Sequence, residues 1–264
     1  MRIDIVTLFP EMFAALTGHG VTGRAVRRGL VELAYWNPRD CAHDRHRTVD
    51  DRPFGGGPGM LMKTEPLLEC LAAVRKESWK DEPGRVVYLS PQGARIDHAA
   101  VARLARTPRL ALLCGRYQGI DQRVIDSAVD EELSLGDFVI SGGELAAMAL
   151  VDAMIRLLPG ALGDGESAGG DSFANGLLLG PEYTRPRQFA GGAVPPVLLS
   201  GDHEAIRRWR LQQRLGATWR KRPDLLERRE LTGEERQLLD EYRRNTQKCP
   251  KAPTPKERPK ERKP

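Results

Sequence analysis

Residues 133–156 read LSLGDFVISGGELAAMALVDAMIR. A short β-type run, Phe138-Val139-Ile140, meets Ser141-Gly142-Gly143, and an apolar stretch from Glu144 to Leu158 follows without a break. This pattern predicts a strand that turns directly into a buried helix. Two explanations of the paired glycines are open: a tight turn that only needs small residues, or a backbone that lies against a ligand.

The rest of the first 158 residues alternates between strand and helix patterns. We predict strands over residues 2–9, 31–35, 85–90 and 109–114, and helices over residues 10–16, 24–33, 97–105 and 145–158, the strand at 31–35 overlapping the end of the helix before it. Such alternation is typical of an α/β fold whose mainly parallel sheet is covered on both faces.

This part of the chain contains four glycine-containing loops: SPQG (90–93), CGRYQG (114–119), SLGD (134–137) and SGG (141–143). Three of them follow predicted strand ends, where ligands bind in open α/β sheets. The chain has neither GxGxxG after its first strand nor GxxxxGK[ST] anywhere. The loops therefore favour a nucleoside cofactor without a phosphate chain over NAD or ATP.

Three helix starts carry a capping signal. Ser141 and Glu144 stand three apart, which predicts a capping box but leaves the two glycines between them unexplained. Asp202 is a predicted N-cap, and Thr232 with Glu235 is a second predicted capping box.

The composition changes after the apolar helix. Pro159-Gly160 stops the helix, and the following GALGDGESAGG (160–170) holds five glycines. Helical patterns separated by loops begin near Ser172. We predict an α/β domain over 1–159, a flexible linker over 160–171, a small helical domain over 172–247 and a tail over 248–264.

Charge is concentrated near the C-terminus. The net charge is +5, and the tail holds seven Lys and Arg against two Glu, so we expect it to be disordered and either solubilising or weakly attractive to polyanions. Residues 207–229 hold nine basic and two acidic side chains, with Trp209 and Trp219 among them. This stripe suits a phosphate backbone, and a solvated helix face explains it equally well.

The four cysteines are scattered without a CxxC pair, which favours reduced thiols in a cytoplasmic protein. Asp4 interrupts the apolar N-terminus, so that segment predicts a first strand and not a signal peptide. No uninterrupted apolar window reaches membrane-spanning length, and no membrane partner is expected. Cys41, His43 and His46 lack a second half-site, so no metal site is predicted.

Two further charged residues flank the linker. Arg156 stands four residues after Asp152, where an ordinary ion pair within one helix would explain it. Asp171 precedes Ser172-Phe173, where it would serve as a helix N-cap. Taken singly, both residues are better explained by these structural roles than by catalysis.

Several long motifs stand in one order: HDRHRTVDDRPFGGGPGM (43–60), GRYQGIDQRV, SLGDFVISGGELAAMALVD, DSFANGLL, YTRP and VPPVLLSGDHEAIRRWR. Together they resemble the bacterial tRNA (guanine-N1)-methyltransferase family, TrmD, from Met1 to about residue 245. The resemblance implies a SPOUT-type fold with a deep trefoil knot, and an obligate homodimer with active sites between subunits.

The resemblance also implies S-adenosylmethionine as cofactor and methylation of N1 of guanosine 37 in tRNA, preferably after guanosine 36, which supports reading-frame maintenance. Asp171 corresponds to the general base and Arg156 to the group that stabilises charge on O6. The implied cofactor-binding residues are Tyr88, Leu89, Ser90, Gly115, Gln118, Leu135, Gly136, Asp137, Phe138, Val139, Ile140, Gly142 and Gly143. The implied tRNA-binding residues are Pro58, Gly59, Met60, His203, Arg208 and Trp209.

One position departs from the family pattern. The family commonly has glutamate in GRYEG, where this chain has Gln118. Gln118 keeps an acceptor but loses the charge, so the Mg²⁺ dependence seen in the family becomes an open question. Two other functions stay in view: a related methyltransferase with another RNA target, and an RNA-binding protein that has lost catalysis.

Overall fold

The computed structural model describes residues 1–80, 82–163 and 167–248. The described chain forms two compact units, Met1–Ala168 and a second that begins at Gly169. The predicted tail falls outside the described residues from residue 249 onward, as do residues 164–166 of the predicted linker. The division at residues 159 and 171 stays a prediction.

The first unit is built on a five-stranded sheet in which every adjacent pair of strands is parallel. The strand order is β2-β1-β6-β5-β7, with β1 Arg2–Val6, β2 Glu32–Trp36, β5 Arg85–Arg95, β6 Arg109–Cys114 and β7 Glu131–Ser134. A small antiparallel pair, β3 Asp50–Asp51 and β4 Leu61–Met62, lies outside it. The predicted α/β fold with a mainly parallel sheet is confirmed.

Helices cover both faces of this sheet. They are α1 Ala14–Gly18, α2 Gly20–Arg27, α3 Thr64–Ser78, α4 His98–Leu104, α5 Gln122–Ala128 and α6 Gly143–Leu157, and a short α7, Ser167–Gly170, follows. On one face Ile3, Ile5 and Leu112 pack with Leu150 and Met154 of α6. On the other face Val6, Val86 and Leu113 pack with Leu67 and Leu71 of α3. Burial on both faces explains why the strands read as continuous apolar runs.

The acid in the first strand is accommodated by hydrogen bonds. Asp4 is completely buried, and its Oδ1 accepts from Trp36 Nε1 and Ser78 Oγ, each at 2.9 Å. Arg2 lies 3.2 Å away as an ion-pair partner. A buried carboxylate is tolerated because it is paired and hydrogen-bonded.

Between residues 171 and 248 the second unit contains three α-helices, α8 His203–Lys221, α9 Pro223–Glu227 and α10 Gly233–Lys248. A core of Leu177, Leu215, Leu238 and Leu239 joins α8 to α10. The predicted cap is confirmed, since Asp202 Oδ1 accepts from Ala205 N at 3.0 Å. A two-stranded pair, β8 Gln188–Phe189 and β9 Gly192–Ala193, was not predicted.

The predicted capping box in this unit is confirmed at both of its contacts. Thr232 N donates to Glu235 Oε2 at 2.9 Å, and Glu235 N donates to Thr232 Oγ1 at 3.2 Å. The start of α10 is therefore fixed by local chemistry that the sequence displays.

Two predicted elements are wrong. Residues 138–140 form an exposed loop, and the strand before α6 is Glu131–Ser134. Val139 is 83% exposed, so its β-branched side chain packs on no sheet. The helix predicted over 24–33 spans Gly20–Arg27, because Gly29 adopts φ +70° and ends it. Gly29 N donates to Val26 O and Leu30 N to Ala25 O, the pattern of a Schellman cap.

In the described parts of the chain, no helix is long and apolar enough to cross a membrane.

Candidate active site

The paired glycines lie where the chain enters α6 against the end of β6. Gly143 N donates to Gly115 O at 2.9 Å, and a Cβ on Gly143 would lie only 2.9 Å from Cys114 Cα. A Cβ on Gly142 would lie 2.3 Å from Arg116 Nε. A Cβ on Gly143 would meet backbone atoms, so the close packing of the chain on itself requires glycine there, whereas a Cβ on Gly142 would displace the Arg116 side chain.

Glu144 has a different role from the predicted one. The N-cap of α6 is Gly142, and no side chain caps it, so the capping box of Ser141 and Glu144 is wrong. The completely buried Glu144 directs Oε1 to Thr7 Oγ1, which donates at 2.9 Å, and Oε2 lies 2.9 Å from Arg116 Nε in an ion pair. The carboxylate joins tertiary partners instead of its own helix terminus.

A cavity of about 600 Å³ opens beside β5, β6 and β7. Its wall contains residues 88–92 of β5, where the pairing with β6 stops at Leu89, together with the end of β7 and the segments that follow β6 and β7. Segments that follow strand ends are the usual ligand site of an open α/β sheet. Among the described residues that line it there is no Lys, Arg, Asp or Glu, although Ser90, Gln92, Gln118, Gln122 and Ser134 supply polar groups. An uncharged wall lacks the cations with which proteins commonly bind a phosphate chain.

Most of the predicted cofactor-binding residues line this cavity. They are Tyr88, Leu89, Ser90, Gly115, Gln118, Leu135, Phe138, Val139, Ile140, Gly142 and Gly143. Gly136 and Asp137 do not line it: Gly136 O accepts from Ser134 Oγ, and the exposed Asp137 lies 3.7 Å from Arg95. The cavity is also lined by residues that were not among the predicted cofactor-binding ones: Leu61, Pro91, Gln92, Ile120, Gln122, Ile125 and Ala146. Of these, Pro91 and Gln92 belong to the predicted ligand loop SPQG.

Tyr88 packs against the glycines of the next loop. Its side chain is buried, and a Cβ on Gly115 would lie 2.8 Å from the tyrosine hydroxyl oxygen. Burial, and then the charge of Glu132, raise the pKa of Tyr88 above its usual value. The hydroxyl is therefore neutral at physiological pH.

The loop of residues 55–62 contacts the loop after β6. Gln118 N donates to Met60 O, and Met62 N donates to Gly119 O, both at 3.0 Å. A Cβ on Gly59 would lie 2.5 Å from Gln118 Cδ, and Gly59 has φ +87°. Pro58, Gly59 and Met60 do not line the cavity, but these contacts place them beside Gln118, which does.

Tyr117 follows β6 and is a non-glycine residue at φ +60°, a conformation that costs backbone energy. The pKa of its hydroxyl is raised by partial burial and then by the negative charge of the neighbouring Asp50, in β3.

The second unit has a cavity of its own, of about 490 Å³. Two of the predicted tRNA-binding residues, His203 and Trp209, line it together with Arg207, Arg210 and Arg214. Arg208 does not line it, and its guanidinium lies 3.1 Å from Glu241 Oε1. The Trp209 and Tyr183 rings lie 6.3 Å apart between centroids.

Part of the basic stripe is occupied by ion pairs within the unit. Arg207 contacts Glu204 at 2.7 Å and Glu234 at 2.8 Å, Arg222 contacts Asp224 at 2.7 Å, and Arg229 contacts Glu235 at 2.6 Å. The structural explanation therefore accounts for these arginines. In the part of the chain that the structure describes, Arg210 forms no ion pair within 4.0 Å, so it is the better candidate for an external anion.

A profile of the family described as tRNA (Guanine-1)-methyltransferase TrmD matches residues 1–228. The chain belongs to this family. A protein of Aromatoleum aromaticum named tRNA (guanine-N(1)-)-methyltransferase is 62% identical over 244 residues, 92% of this chain and 93% of that protein. Proteins of the same name from Idiomarina loihiensis and Tolumonas auensis are 56% and 57% identical over 242 residues, 92% of this chain and 95% and 96% of their own.

The TrmD resemblance drawn from the motifs is thus confirmed, and the catalytic pair that it implies can be located. Arg156 is half-buried in the last turn of α6, in the first unit. Asp171 is half-buried near the start of the second unit. Residues 172–175 form a turn, so no helix begins directly after Asp171. The alternative role of Asp171 as a helix N-cap is therefore wrong.

Proposed function

We propose that this protein transfers the methyl group of S-adenosylmethionine to N1 of guanosine 37 in tRNA, next to the anticodon, and so supports reading-frame maintenance. One observation carries the proposal: the cavity beside β5, β6 and β7 is lined by most of the residues to which the TrmD resemblance assigns the cofactor, and no described residue of its wall is charged. Membership of a methyltransferase family agrees with it.

The residues present fit the cofactor. A cavity of about 600 Å³ lies within the range of small-molecule sites. Backbone groups at Gly115, Gly142 and Gly143 form part of the wall, where a side chain would collide with the protein itself. Leu89, Leu133 and Ala146 offer apolar surface for an adenine ring, and Ser90 and Gln118 offer hydrogen bonds. When bound, S-adenosylmethionine supplies a methyl group that its sulfonium already activates.

Proton transfer is the step that this chain must supply. Guanine N1 carries a proton and is a poor nucleophile until that proton leaves, and the carboxylate of Asp171 is the proposed acceptor. Negative charge then develops towards O6, where the planar guanidinium of Arg156 is the proposed stabilising group. Positioning of the base supplies much of the remaining rate.

The target base must leave the anticodon-loop stack to react, which costs a few kcal/mol. We assign its reception to Pro58, Gly59 and Met60. The contact of this loop with Gln118 supports the assignment, because it links the loop to the wall of the cofactor cavity.

We propose that the second unit binds the anticodon branch of tRNA. The preferred substrate has guanosine at both 36 and 37. His203, Trp209 and Arg210 around one cavity combine an aromatic face with positive charge, the combination that nucleic acids favour. Arg208 belongs to this proposal with less support, since Glu241 already pairs with it.

We further propose the trefoil knot and the homodimer with active sites between subunits. The approach of residues 142–143 to the end of β6 supports the knot, since the chain there packs against an earlier loop. The exposed side chains of Phe54, Phe138 and Val139 provide apolar surface for a second subunit. Free thiols at Cys41, Cys70 and Cys114 agree with a cytoplasmic reaction.

The metal requirement follows from Gln118. A neutral amide is a weaker ligand for Mg²⁺ than a carboxylate, so we propose that Mg²⁺ contributes less at this position than a glutamate would allow.

Methyl transfer from labelled S-adenosylmethionine tests the function. One substrate is an unmodified leucine- or proline-type tRNA transcript with guanosines at 36 and 37, and its matched control carries adenosine at 37. Label on the first transcript only, recovered as 1-methylguanosine, is the expected result. Label at another nucleotide would indicate a methyltransferase with another target. Binding of cofactor and tRNA without any label would indicate an RNA-binding protein.

A further inference from the structure

Glu144 joins three segments that are far apart in the sequence. Its completely buried carboxylate accepts a hydrogen bond from Thr7, at the end of β1, and forms an ion pair with Arg116, after β6. Thr7 is also completely buried, and its Oγ1 accepts from Phe9 N at 3.0 Å. The start of α6 is thereby tied to the ends of two strands of the sheet.

Arg116 carries the same network to the loop before α6. Arg116 and Gly142 form an antiparallel bridge, and Arg116 Nη1 lies 3.4 Å from Ser141 O as donor. The guanidinium stacks 4.3 Å above the centre of the Phe9 ring, and Nη2 lies 3.3 Å from Met12 Sδ. The arginine side chain is 17% exposed, so these contacts hold it in one place.

This network lies behind the cavity wall. Neither Glu144 nor Arg116 lines the cavity, whereas Gly115 and Gln118 on one side of the ion pair and Gly142 and Gly143 on the other side do. The pair therefore sets the separation of two wall segments without touching what they enclose.

We propose that Glu144 is a positioning residue: acting through Arg116, its carboxylate holds residues 115–118 and 141–143 at the separation that binds S-adenosylmethionine. The inference rests on the proposed function, since it takes that cofactor as the ligand. The physical basis is the cost of an unpaired buried charge. If the loop after β6 moved away with Arg116, Glu144 would be left without its counter-charge, so the closed arrangement of the wall is favoured.

Binding of S-adenosylhomocysteine to the full-length protein, followed by calorimetry, tests this role. The variants are Glu144→Gln, which keeps a partner for Thr7 but removes the charge, and Arg116→Lys, which keeps the charge but loses the fork of the guanidinium. Asp4→Asn is the matched control, because Asp4 is also completely buried and ion-paired, with Arg2, and does not line the cavity.

We expect the Kd to rise about tenfold in Glu144→Gln and by a smaller factor in Arg116→Lys, because small displacements of a binding wall are costly. Asp4→Asn is expected to stay within about twofold of the parent even if its thermal midpoint falls. Equal losses of thermal stability in Glu144→Gln and Asp4→Asn, with both affinities unchanged, would make Glu144 merely structural and overturn the inference.

Two further outcomes of the binding experiment separate a failure of the proposed cofactor from a failure of the role proposed for Glu144. If the parent protein does not bind S-adenosylhomocysteine, the proposed cofactor fails, independently of Glu144. If Glu144→Gln does not fold, Arg116→Lys decides, since it leaves the pair electrically neutral. An affinity of Arg116→Lys equal to that of the parent would then overturn the inference.

Discussion

Gly59 lies directly against the side chain of Gln118. A Cβ at position 59 would come within 2.5 Å of Gln118 Cδ, and the Gln118 amide nitrogen of the backbone donates to Met60 O at 3.0 Å. The loop proposed to receive the target base thus contacts Gln118, which lines the cavity proposed for the cofactor. The consequence is that changes on either side of this contact are expected to affect both ligands.

Substitution of Gly59 by alanine should impair methyl transfer more than its backbone strain explains. Gly57→Ala is the matched control, because Gly57 also has a positive φ, +115°, but a Cβ there would meet no atom within 4 Å. We expect kcat/KM for tRNA to fall at least about tenfold further in Gly59→Ala than in Gly57→Ala, because only the former displaces Gln118. Equal losses in steady-state assays would show that the contact with Gln118 is irrelevant.

A carboxylate at position 118 should increase the sensitivity of methyl transfer to magnesium. Gln118→Glu places a hard anionic oxygen ligand at the cavity wall. Rates with Mg²⁺ and with EDTA, in a polyamine buffer that keeps the tRNA folded, should differ more for Gln118→Glu than for the parent. The same ratio in both proteins would place the metal dependence elsewhere.

Removal of the proposed general base should abolish methyl transfer and leave cofactor binding nearly unchanged. Asp171→Ala is expected to lower single-turnover rates by about 10²–10⁴-fold, the usual contribution of general-base catalysis. The Kd for S-adenosylhomocysteine should stay near that of the parent, because Asp171 does not line the cavity. Loss of cofactor affinity in step with activity would make Asp171 structural.

The buried hydroxyl of Tyr88 should make stability fall at alkaline pH. Its folded pKa is raised by burial, so its stabilising contribution is complete below the unfolded value of about 10 and is lost as pH rises through the folded pKa. The free energy of unfolding, measured by urea titration from pH 8 to 11, should decline more steeply for the parent than for Tyr88→Phe. Parallel curves for the two proteins would contradict the raised pKa.

The second unit should bind tRNA through Arg210 more than through the arginines that are already paired. Arg210→Ala is expected to reduce the slope of log Kd against log salt by about one, as for loss of one phosphate contact. Arg222→Ala is the control, since Asp224 occupies Arg222 at 2.7 Å. Equal slopes for both variants, measured with the anticodon-branch transcript, would assign no specific contact to Arg210.

Much of the fold was readable from local patterns. A run of apolar residues predicts the strand over residues 109–114. Side chains that form hydrogen bonds with the nearby backbone predict the helix caps at Asp202 and at Thr232 with Glu235. The cavity wall was located because glycine loops and motif order place the ends of β5, β6 and β7 together.

Predictions from local patterns were wrong where long-range contacts determine the structure. The run Phe138-Val139-Ile140 has the composition of a strand, yet it forms an exposed loop beside the cavity. Glu144 has the spacing of a capping residue, yet its carboxylate binds Thr7 and Arg116. A capping side chain contributes about 1 kcal/mol to helix stability. For Glu144, the buried ion pair with Arg116 and the hydrogen bond from Thr7 replace that role.

The sequence by itself determined the family, the parallel sheet and the segments that line the cavity, because motifs and periodicity are local properties of the chain. Only the tertiary structure decided why Gly142 and Gly143 are glycines. The reason is steric: a Cβ on Gly143 would meet the backbone of Cys114, and a Cβ on Gly142 would meet the Arg116 side chain that pairs with Glu144. Such a contact leaves no mark in the residues on either side of the glycines, and it exists only when the sheet has brought the two segments together.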